Sequence, residues 1–359
     1  MENSAMIAMS GGVDSSVAAF LMKDRGYDCI GVTMKLLNNE DVLMPKEHSC
    51  CSLDDVEDAR SVANLLDMPY YVFNFSERFN EEVIQRFIKA YENGMTPNPC
   101  IDCNKHLKFD KLFLRAKELG YYYVVTGHYA RIEKDEVTGR YILRKSLNKE
   151  KDQSYVLYSM TQEQLKHTLF PLGEMEKTRV REIAQEQGFI NAKKHDSQDI
   201  CFVQNGNYAD FIEKHTKRTY PEGNFVDMDG NVLGKHKGII RYTVGQRKGL
   251  GLSLKEPMYV VSLDLKNNNV ILGRNQDLFS KELVAEDINL ISVEKIDKEM
   301  SVKAKVRYRQ PEQPATVIQT DDNHLKIVFD EPQRAITKGQ AVVLYDGDTV
   351  VGGGTISGI

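Results

Sequence analysis

A glycine- and serine-rich loop near the N-terminus has the residue types and spacing to bind phosphate. It reads Ser10-Gly11-Gly12-Val13-Asp14-Ser15-Ser16 and lies between an apolar run and an amphipathic segment. Adjacent glycines let a phosphate approach the backbone, and amides at a helix start attract anions. The serines can donate to phosphate oxygens, and Asp14 can hold Mg²⁺ against them. No lysine follows the glycines, so this is not a Walker A loop; the alternative is a tight strand-to-helix turn.

Three separated cysteines could do sulfur chemistry. Cys100 and Cys103 follow a proline-stiffened segment where a helix begins, and lysines nearby favour the reactive thiolate. Cys103 is the better candidate nucleophile, and Cys201 offers a second thiol far along the chain. The alternatives are inert packing or half of a structural zinc site, for which Cys50-Cys51 could supply the second pair. Cys29, in an apolar run, is predicted to be a small core residue.

The elements that must position these residues alternate strand and helix through the first two thirds of the chain. Apolar runs predict parallel strands, and helical periodicity predicts helices, one capped by Ser52. The predicted strands are 5–9, 29–34, 70–75 and 122–126, and the predicted helices include 52–66 and 80–92. This βαβ pattern predicts an α/β N-terminal domain with a parallel sheet.

The signature changes beyond residue 205, where glycines multiply and short alternating segments are separated by polar turns. Predicted strands include 258–261, 270–272 and 302–308. The expected organisation is an α/β domain over 1–205 followed by two small, mainly β domains over 206–280 and 281–359.

The amino-acid composition argues against several classes of protein. Apolar residues make up 41% and charged residues 28%, which is typical of a folded globular protein. No apolar run is long enough for a membrane helix and no signal peptide is evident, so the expected compartment is cytoplasmic, with no membrane partner. The net charge of −5 means that any nucleic-acid binding must use local basic patches. Six cysteines in 359 residues are too few for a disulfide scaffold.

Two basic segments could form such patches. One runs from Lys235 to Lys248, and in the other Lys303, Lys305, Arg307 and Arg309 alternate with apolar residues. The alternation predicts four cations on one face of a strand, although a plain solvated strand face has the same pattern. The segment 151–155 adds a cation, an amide, a hydroxyl and an aromatic ring. Stacking and phosphate contacts of these kinds suit a single-stranded RNA loop.

The glycine loop resembles the PP-loop of the ATP pyrophosphatase superfamily, whose members activate an oxygen as an adenylate and release pyrophosphate. From end to end the chain is similar to the bacterial tRNA-specific 2-thiouridylase family. The supporting segments are MSGGVDSS, CCSLDDVEDAR, NPCIDCNKHLKF, VVTGHYAR, KDQSYVLY, HDSQDICF, YTVGQRKGLG, RYRQPEQPA and QRAITKGQAVVLYDGD.

The resemblance implies a function, a mechanism and partners. ATP would adenylate the wobble uridine (position 34) of a tRNA at its 2-carbonyl oxygen, and sulfur would then replace that oxygen. Cys201 would carry the sulfur as a persulfide, and Cys103 would free it through a transient Cys103–Cys201 disulfide. The products would be 2-thiouridine, AMP and pyrophosphate. The partners would be the tRNA anticodon stem-loop and a persulfide donor such as a cysteine desulfurase or a sulfur relay.

The resemblance also implies the role of each domain: catalytic over 1–205, tRNA-binding over 206–280, and a C-terminal β-barrel over 281–359. It implies the binding residues as well. Those for ATP are Ala8, Met9, Ser10, Gly11, Gly12, Val13, Asp14, Ser15, Met34 and Gly127. Those for tRNA are Lys151, Asp152, Gln153, His128, Arg307, Tyr308 and Gln340. From the residues alone, an isolated histidine such as His128 is more often structural, and Met34 could equally be a core residue.

One position departs from the family pattern. Many members have an aspartate where this chain has Cys100. With Cys103 and Cys201, this thiol would complete the three-thiolate set that holds a 4Fe-4S cluster in cluster-dependent tRNA thiolases. A cluster route to the same product is therefore an alternative to the persulfide route.

Two further readings give the protein a different function. An amide- or lysidine-forming ATP pyrophosphatase would keep the loop but need no paired thiols. A noncatalytic RNA-binding or iron–sulfur regulatory protein would bind tRNA without releasing AMP. Sulfur incorporation into tRNA separates the expected enzyme from both.

Overall fold

The N-terminal part of the chain forms the expected parallel sheet. The computed structural model describes residues 2–37, 53–196, 200–203 and 206–359. Five strands lie in the order β3-β2-β1-β4-β7, and every pair is parallel. They are β1 Ser4–Ala8, β2 Asp28–Lys35, β3 Tyr70–Asn74, β4 Tyr123–Val125 and β7 Thr168–Leu169. The predicted strands are confirmed, and the short β7 was not predicted.

Helices cover both faces of this sheet, as an α/β fold requires. They are α1 Val13–Asp24, α2 Leu53–Leu65, α3 Ser76–Phe79, α4 Gln85–Glu92, α5 Pro99–Asp102, α6 Leu112–Glu118, α7 Gln162–Lys166, α8 Lys177–Glu186 and α9 Tyr208–Thr216. Two π-helical stretches, Asn80–Ile84 and Cys103–Lys111, make α3–α4 and α5–α6 continuous. The predicted cap Ser52 lies outside the described residues.

Strand β1 separates two cores because its side chains alternate between the faces. Ala5 and Ile7 pack into a core with α1, α2 and α8. Met6 packs on the other face with α3, α4 and α6, and Cys103 and Cys201 border that second core. The glycine loop therefore leads into a helix on one face, and both candidate sulfur residues lie against the other.

A small sheet follows, in the order β10-β11-β8-β9. Its strands are β8 Gly223–Val226, β9 Val232–His236, β10 Tyr259–Asp264 and β11 Asn269–Gly273. Phe225, Tyr242 and Val260 are at its core.

The C-terminal part is a closed six-stranded antiparallel barrel, as expected. Its order is β12-β15-β14-β13-β16-β17, and β17 closes the barrel by pairing with β12. The strands are β12 Phe279–Leu290, β13 Met300–Lys305, β14 Gln313–Asp321, β15 His324–Arg334, β16 Ala341–Asp346 and β17 Thr349–Gly358. An unpredicted hairpin from the N-terminal part, β5 Ala130–Lys134 and β6 Tyr141–Lys145, extends this sheet by pairing with β17.

The prediction that Lys303, Lys305, Arg307 and Arg309 lie on one face of a strand is wrong. Val302, Ala304 and Val306 are buried, as the alternation requires. However, β13 ends at Lys305, and the chain bends through 306–310. Arg307 and Arg309 therefore belong to a turn and do not continue the strand face.

Candidate active site

The glycine loop lies at the carboxyl end of β1, where open α/β sheets bind their ligands. Helix α1 begins after Gly12, and no side chain among the described residues caps it. Its first amides are therefore available to an anion. The Ser15 and Ser16 hydroxyls donate to Gly12 O at 3.0 and 3.1 Å, which fixes the turn.

Gly11 and Gly127 hold this loop through close backbone contacts. Gly11 has a φ of +75°, and a Cβ there would lie 2.3 Å from Asp55 O at the start of α2. A Cβ on Gly127, just after β4, would lie 2.8 Å from the backbone at Asp14 and Ser15. The loops after β1 and β4 thus touch where the strand order reverses. This juxtaposition is the usual place for a nucleotide.

The carboxylate of Asp14 is paired with a lysine that the sequence analysis missed. Lys177 Nζ donates to both Asp14 carboxylate oxygens at 2.8 Å and lies 2.8 Å from Asp196 Oδ1. The Tyr129 hydroxyl also donates to Asp14, at 2.7 Å, and burial together with Asp14 raises the pKa of that phenol. The Lys177 side chain is only 12% exposed. An ammonium thus bridges two carboxylates at the mouth of the phosphate loop.

Asp196 is the centre of a wider ion-pair group. Besides Lys177 it pairs with Lys151 at 2.9 Å and Arg181 at 3.0 Å. Burial opposes its ionisation, but the hydrogen bonds from Lys177 and Lys151 prevail and lower its pKa to about 2. The predicted tRNA contact Lys151 is therefore linked electrostatically to the nucleotide loop.

The sequence offered one signal for Lys177. It is the first residue of α8, where the helix dipole disfavours a cation. A lysine at that position needs a compensating anion, and Asp14 and Asp196 provide it. Tyr129 and Asp196 lie in two of the segments that carry the family resemblance, VVTGHYAR and HDSQDICF, but nothing in those segments indicates their contacts with Asp14 and Lys177.

The candidate sulfur residues border one hydrophobic core. Cys29, Cys100, Cys103 and Cys201 are thiols, and only Cys29 is fully buried, as predicted. Cys100 is exposed, whereas Cys103 and Cys201 are half-buried against the second core. Phe202, next to Cys201, is anchored between Phe79 and Phe87 at ring distances of 5.7 and 5.2 Å. Cys50 and Cys51, the possible second zinc pair, lie outside the described residues.

A metal cluster does not fit these thiols as they are arranged. No group of three or more His, Cys, Asp or Glu side chains within the described ranges could hold a metal ion. Cys100, Cys103 and Cys201 do not converge on a common point. The donor set that a 4Fe-4S cluster needs is therefore not assembled in this arrangement.

Residues 151–153, predicted to contact tRNA, lie beside this site with their polar groups engaged. Asp152 is half-buried and accepts from Ser146 N at 3.0 Å and from the Ser154 hydroxyl at 2.8 Å. Gln153 Oε1 accepts from Tyr129 N at 2.9 Å. The segment is therefore held in a fixed conformation, and Lys151 presents its cation from it.

Three predicted tRNA residues of the barrel contact other parts of the protein. Arg307 donates to Val244 O at 3.3 Å, Ala335 O at 2.7 Å and the Thr337 hydroxyl at 2.8 Å. Tyr308 OH donates to Asp152 O at 3.3 Å, and Gln340 Nε2 donates to Thr96 O at 2.8 Å. Each links the barrel to another part of the fold.

His128 and Met34 are packed in the interior. His128 Nδ1 lies 2.6 Å from the Thr126 hydroxyl, and the ring packs against Phe109 and Phe170. Burial, with a smaller contribution from Lys108, holds the pKa of His128 well below its usual range. Met34 is 9% exposed and belongs to the second core.

The first basic segment forms one wall of a groove. The groove has a volume of about 750 Å³ and lies between the start of α9, the turn 237–249 and Arg307. The described residues that line it include Lys237, Arg241, Lys248 and Arg307 and no carboxylate. Arg241 is neutralised by Asp210 and Glu213, whereas Lys237 and Lys248 form no ion pair with any described residue. The cations that line the groove suit a phosphate backbone.

Family models cover nearly the whole chain. The model described as the tRNA methyl transferase HUP domain matches residues 3–205. The tRNA methyl transferase PRC-barrel domain matches residues 209–274, and the aminomethyltransferase beta-barrel domain matches residues 280–356.

Several curated proteins are similar over their full length. One named tRNA-specific 2-thiouridylase MnmA, from Clostridioides difficile, is 57% identical over 356 residues, covering 99% of this chain and 98% of that protein. A second of that name, from Clostridium beijerinckii, is 51% identical and covers 100% of both chains.

Solved structures give more distant likenesses. A 4-thiouridine synthetase–RNA complex with bound ATP is 18% identical at a TM-score of 0.38, over 60% of this chain and 50% of that one. NMN synthetase from Francisella tularensis is 14% identical at a TM-score of 0.34, over 61% of this chain and 79% of that one.

Proposed function

The chain belongs to the tRNA-specific 2-thiouridylase family, and from that premise we propose how it carries out ATP-dependent thiolation of tRNA. The substrate is the wobble uridine of the anticodon, and the product is 2-thiouridine. The observation that carries the proposal is the contact between the loops after β1 and β4, which forms an anion site facing Lys177. Such a site suits a nucleoside triphosphate.

The first step is adenylation of the base. A carbonyl oxygen is a poor leaving group, and attack of the uridine 2-oxygen on the α-phosphate of ATP turns it into part of AMP. The amides at the start of α1 and the hydroxyls of Ser10 and Ser15 orient the phosphates. Lys177 leaves Asp14 for the triphosphate, because phosphate oxygens compete for the same ammonium protons.

Mg²⁺ accompanies ATP in this proposal, and Asp14 would hold it. One or two carboxylates with substrate phosphates form the usual Mg²⁺ site in such enzymes. Asp14 fits this role only after Lys177 moves, since both its oxygens now accept from that ammonium. When bound, the metal would neutralise the departing pyrophosphate.

The second step is sulfur transfer. The terminal sulfur of a Cys201 persulfide attacks C2 of the adenylated base, and AMP departs. The Cys103 thiolate then attacks Cys201 Sγ, so the sulfur–sulfur bond breaks and its electron pair stays on the sulfur now bonded to C2. A Cys103–Cys201 disulfide remains, and an external thiol reduces it. The persulfide comes from a donor such as a cysteine desulfurase or a sulfur relay.

The tRNA is bound by local basic surface. Lys237 and Lys248 in the groove are not neutralised by described carboxylates, so they are available to backbone phosphates. Lys151, beside the nucleotide loop, is suited to the anticodon loop. The domain division at residues 205 and 280 belongs to this proposal: the catalytic part supplies Lys151, the tRNA-binding part supplies Lys237 and Lys248, and Arg307 of the barrel lines the same groove.

The test is anaerobic reconstitution with unmodified tRNA and ATP-Mg²⁺, supplied with either a persulfide donor or sulfide. Mass spectrometry of the wobble nucleoside should show 2-thiouridine with the persulfide donor and without iron. Formation only with sulfide and bound iron would support the cluster route and overturn the persulfide step. Incorporation of an amine in place of sulfur would overturn the proposal as a whole.

A further inference from the structure

We propose that the barrel turn 337–340 positions the helix that carries Cys103, and that Gly339 and Gln340 are positioning residues for sulfur transfer. This inference rests on the proposed function, because it matters only if Cys103 takes part in the second step. It assigns to the amide of Gln340 a role within the protein that recognition of tRNA does not require.

The turn is joined to the linker that precedes the cysteine helix. This linker, residues 95–98, runs from the end of α4 to the start of α5. Thr96 N donates to Lys338 O at 2.9 Å. Gln340 Nε2 donates to Thr96 O at 2.8 Å and to Pro97 O at 3.4 Å. The barrel therefore holds the linker directly before Cys100 and Cys103.

Gly339 lets the two segments approach this closely. Its φ is +86°, and a Cβ there would lie 2.9 Å from Met95 Cβ and 3.1 Å from Thr96 N. The second of these atoms is backbone, so it can give way only if the linker moves. The glycine is required both for its own conformation and for the position of its neighbour.

The turn is itself fixed to the barrel and is a firm support. Gly339 N donates to Ile356 O at 2.9 Å, and Ile356 N donates to Gln340 O at 2.8 Å. Arg307 donates to Ala335 O and to the Thr337 hydroxyl on the approach to the turn. A strain applied at residue 339 is therefore transmitted to the linker.

The cysteine helix is held at two places. On the linker side, the side chain of Asn98 accepts from Cys100 N at 3.2 Å and caps α5. Beyond Cys103, the buried Asn104 Nδ2 donates to Val156 O at 3.0 Å. Moving the linker while Asn104 stays fixed would turn the intervening residues, Cys103 among them. Displacement of a reacting group by about 1 Å can cost about 100-fold in rate.

A displacement of the linker should not affect the adenylation step. The glycine loop leads into α1 on the other face of the sheet, and its contacts come from α2, α8 and the loop after β4. A change in the turn 337–340 is therefore expected to slow sulfur transfer while adenylation continues at its normal rate.

Gly339→Ala in the full-length protein tests the inference, with Gly230→Ala as its control. Gly230 has nearly the same φ, +88°, but a Cβ there would meet nothing within 4 Å. Single-turnover pyrophosphate release and 2-thiouridine formation are measured with the same tRNA. We expect Gly339→Ala to release pyrophosphate within about twofold of the parent rate and to lose thiolation by about tenfold or more. Gly230→Ala should retain both.

A second variant covers the case in which Gly339→Ala fails to fold. Gln340→Met keeps the side-chain length and removes the hydrogen bonds donated to Thr96 O and Pro97 O, so it should give the same division between the two steps. Thiolation equal to the parent in both variants would overturn the inference, as would weaker tRNA binding with an unchanged ratio of the two steps. If the parent protein releases no pyrophosphate with tRNA, the proposed function fails instead.

Discussion

The carboxylate of Asp14 in the glycine loop pairs with Lys177, a contact that the loop's motif does not predict. From the motif, Asp14 is expected to bind Mg²⁺. In the structure that carboxylate accepts from an ammonium that is nearly buried and shared with Asp196. Asp14, Lys177 and Asp196 form one group of charges with Lys151 and Arg181, so in the proposed mechanism ATP competes with Asp14 for the ammonium of Lys177.

Lys177→Met should reduce pyrophosphate release by about 100-fold, the usual effect of removing one preorganised donor to a developing anion. The measurement is single-turnover pyrophosphate release with saturating tRNA. Lys177→Arg keeps the charge and should restore part of the rate.

Lys145→Met is the matched control for this change. Lys145 is similarly buried, at 16% exposure, and pairs with Glu312 on the barrel. It should lower the melting temperature to a comparable degree without affecting pyrophosphate release. A Lys177→Met protein as active as the parent would contradict the role given to this lysine.

At the residue scale, the sequence motifs predicted site residues that are adjacent in the chain and missed partners that come from distant segments. The loop residues 10–16 form a local string, so their place at the end of β1 was predictable. Tyr129 and Lys177 reach Asp14 across 115 and 163 residues of chain. Such partners are set by the strand order of the sheet, which a single sequence does not reveal.

The continuous helix α5–α6 carries a buried charge that affects stability. Asp102 is 19% exposed, and burial raises its pKa from 3.8 to about 6 even though Arg86 lies 3.5 Å away. The folded state therefore binds this proton more tightly than the unfolded chain. Stability from this group is greatest at acidic pH, falls as pH rises between about 4 and 6, and is lower by about 3 kcal/mol above that window.

Asp102→Asn should therefore stabilise the protein more at pH 8 than at pH 5, by about 1.5 kcal/mol. The measurement is the free energy of unfolding in urea at both values. Asp110→Asn on the same helix removes a carboxylate that is 41% exposed and is the control for the substitution itself. An equal effect of Asp102→Asn at both pH values would show that its carboxyl is not perturbed.

Helices and strands were predicted correctly where the hydrophobic pattern is strong. They were missed where pairing with a distant strand determines the secondary structure. The buried strands β1 and β2 are apolar runs, and both were predicted. The hairpin β5–β6 is short, half of its strand residues are charged, and β6 pairs with β17 at Arg144 and Thr349. The alternation after Lys305 continues in sequence, but Arg307 turns inward to carbonyl partners, so the strand ends.

The whole molecule is held together by a core that crosses the predicted boundary at residue 280. Tyr155 and Leu157 from the N-terminal part pack with Val343 and Tyr345 from the barrel. Tyr155 OH also donates to Ala341 O at 2.8 Å. These contacts join segments about 190 residues apart, which explains why composition alone separated them. No helix among the described residues has the length and apolar character to cross a bilayer.

Charge distribution at this scale governs tRNA binding, because the net charge of the chain is −5. Lys237→Gln with Lys248→Gln should weaken tRNA binding and lower the slope of log affinity against log salt by between about 1.4 and 1.8, equivalent to two lost phosphate contacts. ATP binding should be unchanged. Lys281→Gln with Lys298→Gln, two lysines outside the groove, is the control. A slope equal to the parent's would remove the groove from the binding surface.

The fate of the uridine 2-oxygen tests the central claim most directly. An anticodon stem-loop carrying ¹⁸O at that position is incubated with the persulfide-loaded protein and ATP for one turnover, and the AMP is analysed by mass spectrometry. Adenylation of the base predicts one ¹⁸O atom in the AMP for each 2-thiouridine formed. Thiolated product accompanied by unlabelled AMP would contradict the account.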